Sequence, residues 1–150
     1  MYVRELTVKD HKEFYTLVYK SFFERNDIGI DFDEVNFNNV VKNVLVNDSH
    51  YSIGLFENDI LIGCAVIMLE KIPFSGESIA IFDLVHTDVS HRNLDYYQKL
   101  FDAIMSKVEI NNIKRIACNA KNIMLDFNLK QMLLQRNDFY KSSVNWERNI

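Results

Sequence analysis

The sequence of 150 residues has few of the residues that interrupt or crosslink a chain: four glycines, one proline and two cysteines. Two cysteines exclude a disulfide framework and favour a reducing compartment. The shortage of glycine argues against a loop that brings backbone N–H groups close to phosphate. The longest apolar run, Ile60 to Leu69, is half of the roughly 20 residues that cross a bilayer. We therefore expect no membrane partner.

A basic surface is also missing, because 17 Lys and Arg stand against 21 Asp and Glu, for a net charge of -4. Nucleic-acid binding relies on clustered cations, so we expect no nucleic-acid partner. With 48% hydrophobic and 25% charged residues, the composition is that of a single globular domain spanning residues 1–150. The first five residues contain no signal-peptide core, so we expect a cytoplasmic location. Abundant Asn and Ile indicate an AT-rich genome, which makes a phage particle the alternative location.

Apolar spacing and turn signals predict four helices and about six to seven strands. In chain order we predict a strand at 2–6, a helix from Thr7, a helix after Asp33, a hairpin of strands at 51–56 and 60–69, a strand at 78–86, a helix after Asn93, a strand at 113–119, a helix at 124–136 and one or two strands in 140–148. A β-α-β stretch at 78–119 implies a parallel crossover, whereas the meander before it implies antiparallel pairing. The predicted fold is α/β, with a mixed, mostly antiparallel sheet in the order β-α-α-β-β-β-α-β-α-β.

This order and three short stretches resemble the GNAT acyltransferase superfamily. The stretches are Arg4 with Thr7 and Asp10 at the first strand and helix cap, Gly63 in the third strand, and 137–140, which is similar to the "LGF" segment after the last helix. The resemblance covers the whole chain. It implies a GNAT fold, acetyl-CoA as cosubstrate and an amine-bearing small molecule or protein as acceptor.

In that superfamily a loop of pattern R/Q-x-x-G-x-G/A grips the cofactor's pyrophosphate, and the matching stretch here is 92–97. Arg92 matches, but Asp95 and Tyr97 stand where the two glycines belong. A carboxylate at roughly 4 Å from a phosphate charge is repelled by about 4 kcal/mol at an effective dielectric of 20. Alternatively, Asp95 is an ordinary first-turn acid of a helix that binds nothing. The cofactor-binding residues implied by the resemblance are Leu84, Val85, Arg92, Asn93, Leu94, Asp95, Tyr97 and Asn119.

The resemblance also places the base that deprotonates the amine on the fourth strand. Asp83 lies there between Phe82 and Leu84, and apolar neighbours would raise the pKa of an unpaired carboxylate, as a general base requires. The alternative is that Asp83 faces solvent or pairs with a cation. His86 is the second candidate base, or else a packing or surface residue at the end of the strand.

The acid that protonates the leaving thiolate is often a tyrosine of the fourth helix in this superfamily. The matching position here is Leu134, which has no proton to give. Tyr140 lies nearby in sequence and is the candidate replacement, unless it only packs at the start of a strand.

The segment between the first two helices borders the acceptor site in GNAT folds. Glu24, Asp27, Asp31 and Asp33 make this segment acidic, which suits a cationic amine. The alternative is a solvated polar loop.

Two further groups of residues were candidates for other chemistry. The spacing of Asp83, His86, Asp88 and His91 fits no zinc signature, so we expect no metal. Cys118 has no histidine near it in sequence, and is either a nucleophile or a small buried hydrophobic residue.

Two functions from different classes follow. One is a divergent acyl-CoA-dependent N-acyltransferase, which requires an open cleft beside Arg92 with free backbone N–H groups. The other is a catalytically degenerate scaffold or interaction protein, with a protein partner or self-association, such as a phage structural or assembly component. In that case we expect the cleft to be filled, with Tyr96 or Tyr97 as the plug, and an apolar patch to be exposed.

Overall fold

A five-stranded sheet with its strands in chain order organises the molecule. The computed structural model describes residues 1–24 and 32–141. Its strands are β1 (Tyr2–Glu5), β2 (His50–Glu57), β3 (Ile60–Lys71), β4 (Ser78–Thr87) and β5 (Arg115–Cys118). Its helices are α1 (His11–Glu24), α2 (Glu34–Val46), α3 (Leu94–Ile110) and α4 (Phe127–Arg136), with single 3-10 turns at Val8–Asp10, Val89–His91 and Ala120–Asn122.

The sheet is mixed, as predicted. Strands β1 to β4 pair antiparallel, and β5 pairs parallel to β4 after the α3 crossover. The β2–β3 hairpin turns on Asn58 and Asp59, whose φ angles of 50° and 61° match the strand twist. The predicted strands in 140–148 lie outside the described residues, except for Tyr140 and Lys141, which form no strand.

The helices cover both faces of the sheet and divide the core into two layers. One layer packs α1 and α2 on the sheet through Phe14, Leu17, Val41, Val66 and Leu84. The other packs α3 and α4 through residues that include Phe82, Val85, Tyr97, Phe101 and Leu133. The apolar runs of β3 and β4 follow from this arrangement, because both faces of each strand are covered.

Three predicted helix starts are confirmed by side-chain caps. The Thr7 N–H donates to Asp10 Oδ2 at 2.8 Å, completing a capping box before α1. The Asp33 carboxylate accepts from Asn36 N at 3.0 Å at the start of α2. The Asn93 side chain caps α3 in the same way.

The segment between β5 and α4 differs from the prediction. Helix α4 begins at Phe127 rather than at Met124, and β5 is shorter than the predicted strand at 113–119. The Asn119 side chain accepts from Lys121 N at 3.0 Å, which turns the chain out of the strand. Met124 N–H then donates to Val85 O at 2.9 Å instead of entering a helix. Within the described ranges, no helix is long and apolar enough to cross a membrane.

Candidate functional site

Strand β4 carries a bulge at Asp83. Val66 pairs with Leu84 and Ile67 pairs with Phe82, so Asp83 has no opposite residue on β3. Bulges bend a strand and redirect its side chains. Regular β4–β5 pairing ends at the same point, between Phe82 and Cys118. Strand β5 ends at Cys118, and we call the space between the rest of β4 and the segment after β5 the split.

A buried hydroxyl bridges the two walls of the split. Asp88 N–H donates to β3, so strand alternation directs the N–H of Thr87 into the split. There it donates to the Tyr97 hydroxyl at 3.3 Å, and that hydroxyl donates to Met124 O. The Tyr97 side chain is fully buried, and burial raises the pKa of its hydroxyl above the usual value. It therefore stays protonated at neutral pH and keeps its donor role.

Tyr97 comes from the first turn of α3, at the second of the two positions where the resemblance calls for glycine. Its ring lies in the core layer between α3 and the sheet, in which Val85 also packs. Asp95 and Asn93 are exposed, and Asn93 serves as the cap of α3. Leu94 is half-buried and packs against the same core layer. The turn that matches the pyrophosphate pattern therefore begins α3 with a side-chain cap.

Arg92, the one residue that matches the pyrophosphate pattern, is already paired. Its guanidinium donates to the Glu24 carboxylate at the end of α1, while its Nε is buried and has no hydrogen-bond partner among residues 1–24 and 32–141. Glu24, which was expected to border an acceptor site, is thus paired with Arg92. Asp33, from the same predicted acidic border, caps α2. Asp27 and Asp31 lie outside the described residues.

Asp83 is exposed, so the alternative of a solvent-facing carboxylate is the correct one, and the expectation of a carboxylate buried among apolar neighbours was wrong. It lies at an apolar cavity of about 190 Å³ between α1, α2 and the sheet, which Leu84 also lines. Within residues 1–24 and 32–141 its carboxylate has no ion pair or hydrogen bond.

His86 is fully buried on β4, and neither ring nitrogen has a hydrogen-bond partner in the described part of the chain. Burial lowers its pKa from 6.5 to about 4. The imidazole is therefore neutral at pH 7. A catalytic base is normally held by a second polar group, and His86 has none among these residues. His86 is therefore better described as a packing residue than as a catalytic base.

The remaining candidates are not gathered at the split. Tyr140 is 84% exposed after α4, and Leu134 packs against the α3 core layer. Burial raises the pKa of Cys118 to about 12, so its thiol is protonated at neutral pH. His91 bonds to Glu57 at 2.8 Å. No group of three potential metal ligands is found within the described residues.

A cationic cavity of about 680 Å³ lies beside the mouth of the split. Arg92, Lys121 and Lys130 line it together with Asn119 and the carboxylate of Asp126. Its composition suits an anionic group, and Asn119 is the one residue of the implied cofactor set, besides Arg92, that borders it.

Ser21 is the residue that sequence reasoning missed. It is 1% exposed on α1, its hydroxyl has no hydrogen-bond partner among the described residues, and it lines the cavity beside Asp83. The sequence spacing could have revealed it, because Ser21 follows Phe14 and Leu17 at the intervals of three and four residues that place side chains on one buried face of a helix.

Several solved structures with this fold are described as acetyltransferases. A predicted acetyltransferase from Clostridium acetobutylicum, solved with acetyl-CoA, is 16% identical over 99% of this chain and 95% of its own, with a TM-score of 0.78. AAC(6')-Iy, in complex with the bisubstrate analogue CoA-S-monomethyl-acetylneamine, is 12% identical over 99% and 97%, with a TM-score of 0.76. A ribosomal-protein-alanine N-acetyltransferase from Brucella melitensis biovar Abortus 2308 is 15% identical over 99% and 96%, with a TM-score of 0.71.

These likenesses confirm the predicted fold: the chain has the GNAT fold over its whole length. Comparisons with protein-family models and with curated protein sequences give no match. At such low identities the likeness is one of fold, and function has to be argued from the site.

Proposed function

We propose that this protein is a non-catalytic binding module on the GNAT fold, whose split is closed by its own side chains. The observation that carries the proposal is the Tyr97 hydroxyl, which links Thr87 N–H on one wall to Met124 O on the other. The alternative of a filled cleft, rather than an open one with free N–H groups, fits this geometry.

An acyl-CoA arm lying along β4 would have to replace these bonds. Moving Tyr97 away costs roughly 1–3 kcal/mol for each of the buried N–H and C=O groups that the arm does not satisfy. Entry would also break the Val85 O bond with Met124 N–H if the segment after β5 moved. Arg92 would contribute less to binding the cofactor phosphates than its charge suggests, because its guanidinium is already paired with the Glu24 carboxylate.

The aromatic cluster on the other side of the sheet supports a role in binding a protein partner. Six aromatic rings of α1, α2 and the adjoining Phe32 pack on one another, with centroids 4.6–6.2 Å apart: Tyr15, Tyr19, Phe22, Phe23, Phe32 and Phe37. Tyr19 and Phe23 are exposed, as are Val35 and Val40 on α2. Neighbouring exposed apolar side chains are typical of interaction sites, which supports a binding role.

The test is a calorimetric titration of the whole protein with acetyl-CoA, together with its melting temperature. We expect neither heat nor a melting shift at millimolar ligand. A ligand at a hundred times its Kd would stabilise the folded state by about 2.7 kcal/mol, so binding would be seen. Saturable binding together with acetyl transfer to an amine would overturn the proposal.

A matched pair of variants tests the role of Tyr97 directly. Tyr97→Ala removes the ring and hydroxyl from the split, whereas Tyr96→Ala shortens the neighbouring side chain and leaves the split closed. Both should be checked for folding by circular dichroism. We expect Tyr97→Ala alone to gain acetyl-CoA binding. If both variants fail to bind, closure of the split by Tyr97 is not what prevents binding, and Asp95 at the other glycine position is left to account for the loss.

The second candidate is an acyl-CoA-dependent N-acyltransferase, and the cationic cavity beside Arg92 favours it. Lys130 and Lys121 could neutralise cofactor phosphates from the β5 side of the split. In this candidate acetyl-CoA is the cosubstrate and Asp83 the base. Acetyl-CoA binding by the wild type that is lost in Lys130→Gln would favour it over the closed module. The cytoplasmic or phage-particle location stays a prediction from composition.

A further inference from the structure

A serine, a histidine and a glutamate are hydrogen-bonded in a line on the surface before α3. Ser90 and His91 lie in the 3-10 turn after β4, and Ser90 Oγ is 3.0 Å from His91 Nδ1. On the other side of the ring, His91 Nε2 is 2.8 Å from Oε2 of Glu57, the last residue of β2. The fold thus brings together side chains 34 positions apart. Strand β2 lies on the side of β4 away from β5 and the split.

The two hydrogen bonds fix how the neutral imidazole of His91 is protonated. A carboxylate only accepts, so Nε2 carries the ring proton and donates it to Glu57. Nδ1 is left with a lone pair, and the Ser90 hydroxyl donates to it. The imidazole also packs on the ring of Tyr96, with centroids 5.7 Å apart, which limits its rotation. A hydroxyl, a base and a carboxylate in this order form the arrangement that activates a serine nucleophile.

A second pair of neighbouring Ser and His residues differs from this arrangement. Ser49 Oγ is 3.3 Å from His50 Nδ1, but the Ser49 hydroxyl donates to Asn47 Oδ1 at 2.8 Å. His50 forms no ion pair with a carboxylate within the described ranges. Ser49 is half-buried, whereas Ser90 is exposed. Both pairs place a histidine next to a serine, and Ser90 is the one that donates to a base oriented by a carboxylate.

We propose that Ser90 is a nucleophile that accepts an acyl group from a small, uncharged activated ester such as an aryl ester. Because Ser90 is exposed, such an ester reaches it without entering the split. The carboxylates of Glu57 and of Asp88, which precedes the same turn, make an anionic phosphate donor less suitable than an uncharged ester.

The transfer uses each of the three side chains once. Ser90 Oγ attacks the carbonyl carbon while His91 Nδ1 takes the hydroxyl proton, and Glu57 stabilises the imidazolium that forms. The bond from the carbonyl carbon to the leaving oxygen then breaks, and that oxygen takes the proton from His91. One ester and the serine hydroxyl thus give one acyl-serine and one phenol. The proposal goes beyond the proposed function, because the acyl group is transferred once to the protein itself and acyl-CoA is not used.

The experiment incubates the whole protein with p-nitrophenyl acetate at pH 8 without acetyl-CoA. Release of p-nitrophenol is followed by absorbance, and acetylated residues are located by peptide mass spectrometry. Ser90 should be acetylated roughly a hundredfold faster than Ser75, an exposed serine whose hydroxyl accepts from Glu77 N. It should also react faster than Ser49. Equal rates at Ser90 and at either of these serines overturn the proposal.

Three variants assign the nucleophile and the base. Ser90→Ala should abolish the fast release of p-nitrophenol. In His91→Gln the new side chain can accept a hydrogen bond but cannot take up a proton, so acetylation of Ser90 should slow roughly a hundredfold. His50→Gln is the matched control and should leave acetylation of Ser90 unchanged. Circular dichroism and the melting temperature check that each variant folds. Undiminished acetylation of Ser90 in His91→Gln overturns the proposal.

Glu57 is a positioning residue, so its test needs a second readout besides the rate. Glu57→Gln keeps an oxygen that can accept from His91 Nε2 but removes the charge, and should slow acetylation of Ser90 roughly five- to tenfold. In ¹⁵N NMR the neutral His91 ring of the wild type should carry its proton on Nε2, whereas Glu57→Ala should show a mixture of both tautomers. An unchanged rate and an unchanged tautomer overturn the role of Glu57.

The outcomes also separate this proposal from the proposed function. Release of p-nitrophenol well beyond one equivalent, if lost in Ser90→Ala, would overturn the non-catalytic function while confirming Ser90 as the nucleophile. Failure of Ser90 to react would overturn the assignment of Ser90, whereas closure of the split would still be decided by the acetyl-CoA titration.

Discussion

Removing one oxygen atom from Tyr97 should destabilise the whole protein. In Tyr97→Phe the ring stays in place, so no cavity opens, but Met124 O and Thr87 N–H lose their partner. An unsatisfied buried backbone group costs roughly 1–3 kcal/mol. The Thr87 bond is long at 3.3 Å, so we place its loss at the lower end of that range. The sum is about 3 kcal/mol of unfolding free energy.

Urea unfolding at pH 7, with calorimetry as the second probe, measures this loss. For a chain of 150 residues, about 3 kcal/mol corresponds to a fall in melting temperature of roughly 6–12 °C. Tyr96→Phe is the control, because its hydroxyl has no hydrogen bond in the described part of the protein. It should change stability by less than about 0.5 kcal/mol.

The comparison of the two tyrosine variants decides whether the Tyr97 hydroxyl holds the walls of the split together. If Tyr97→Phe loses no more stability than Tyr96→Phe, the hydroxyl does not hold the walls of the split together. The closed-split argument would then fail, even if acetyl-CoA does not bind. A large loss in Tyr97→Phe alone, with acetyl-CoA still unbound, would agree with the reasoning, since the ring continues to occupy the space.

Three further predictions follow from single residues. Burial lowers the pKa of His86 from 6.5 to about 4, so on acidification the unfolded chain takes up this proton before the folded protein does. The unfolding free energy should therefore fall by about 3 kcal/mol as the pH drops from 6.5 to 4. His86→Gln should flatten this part of the profile of urea midpoint against pH, and an unchanged slope would contradict a buried, neutral His86. The hydrogen bonds from Arg4 lower the pKa of Asp10 from 3.8 to about 2. Because Arg4 is exposed, Asp10→Asn should lower the unfolding free energy by only about 1 kcal/mol at pH 7. In urea unfolding, the difference in stability between wild type and variant should disappear as the pH falls from 3.8 to 2. A Cβ on Gly63 would lie 2.9 Å from Thr87 Cγ2 and 3.2 Å from His86 O. Gly63→Ala should therefore lower the unfolding free energy by about 1–3 kcal/mol. An unchanged melting temperature would show that β3 and β4 can move apart at this position.

Local chemistry made most of the fold predictable. The caps at Thr7, Asp33 and Asn93 use side-chain oxygens that bond to nearby backbone, so sequence alone locates them. The hairpin turn at 57–59 was predictable from its short polar turn between two apolar strands, and the parallel crossover from the β-α-β order. The start of α4 was not, because Met124 has good helix propensity and is held out of the helix by a bond to distant Val85.

The candidate site was predictable only in part. The substitution of Tyr97 for a glycine was visible in the sequence, and so was its capacity to act as a plug. The pairing of Arg92 with Glu24 was not, since it joins residues 68 positions apart. The cavity at Asp83 depends on a bulge, and a single inserted residue leaves no signature in an apolar strand such as β4.

The hydroxyl of Tyr97 also has a consequence for how the molecule opens. It connects α3, the end of β4 and the segment before α4, so none of the three can move away without breaking a shared buried contact. Segments coupled in this way exchange their amide hydrogens as one cooperative unit. The amides of Thr87 and Met124 should then share the slowest exchange class, whereas α1 and α2, which meet the sheet around the cavity beside Asp83, should open at a lower free energy.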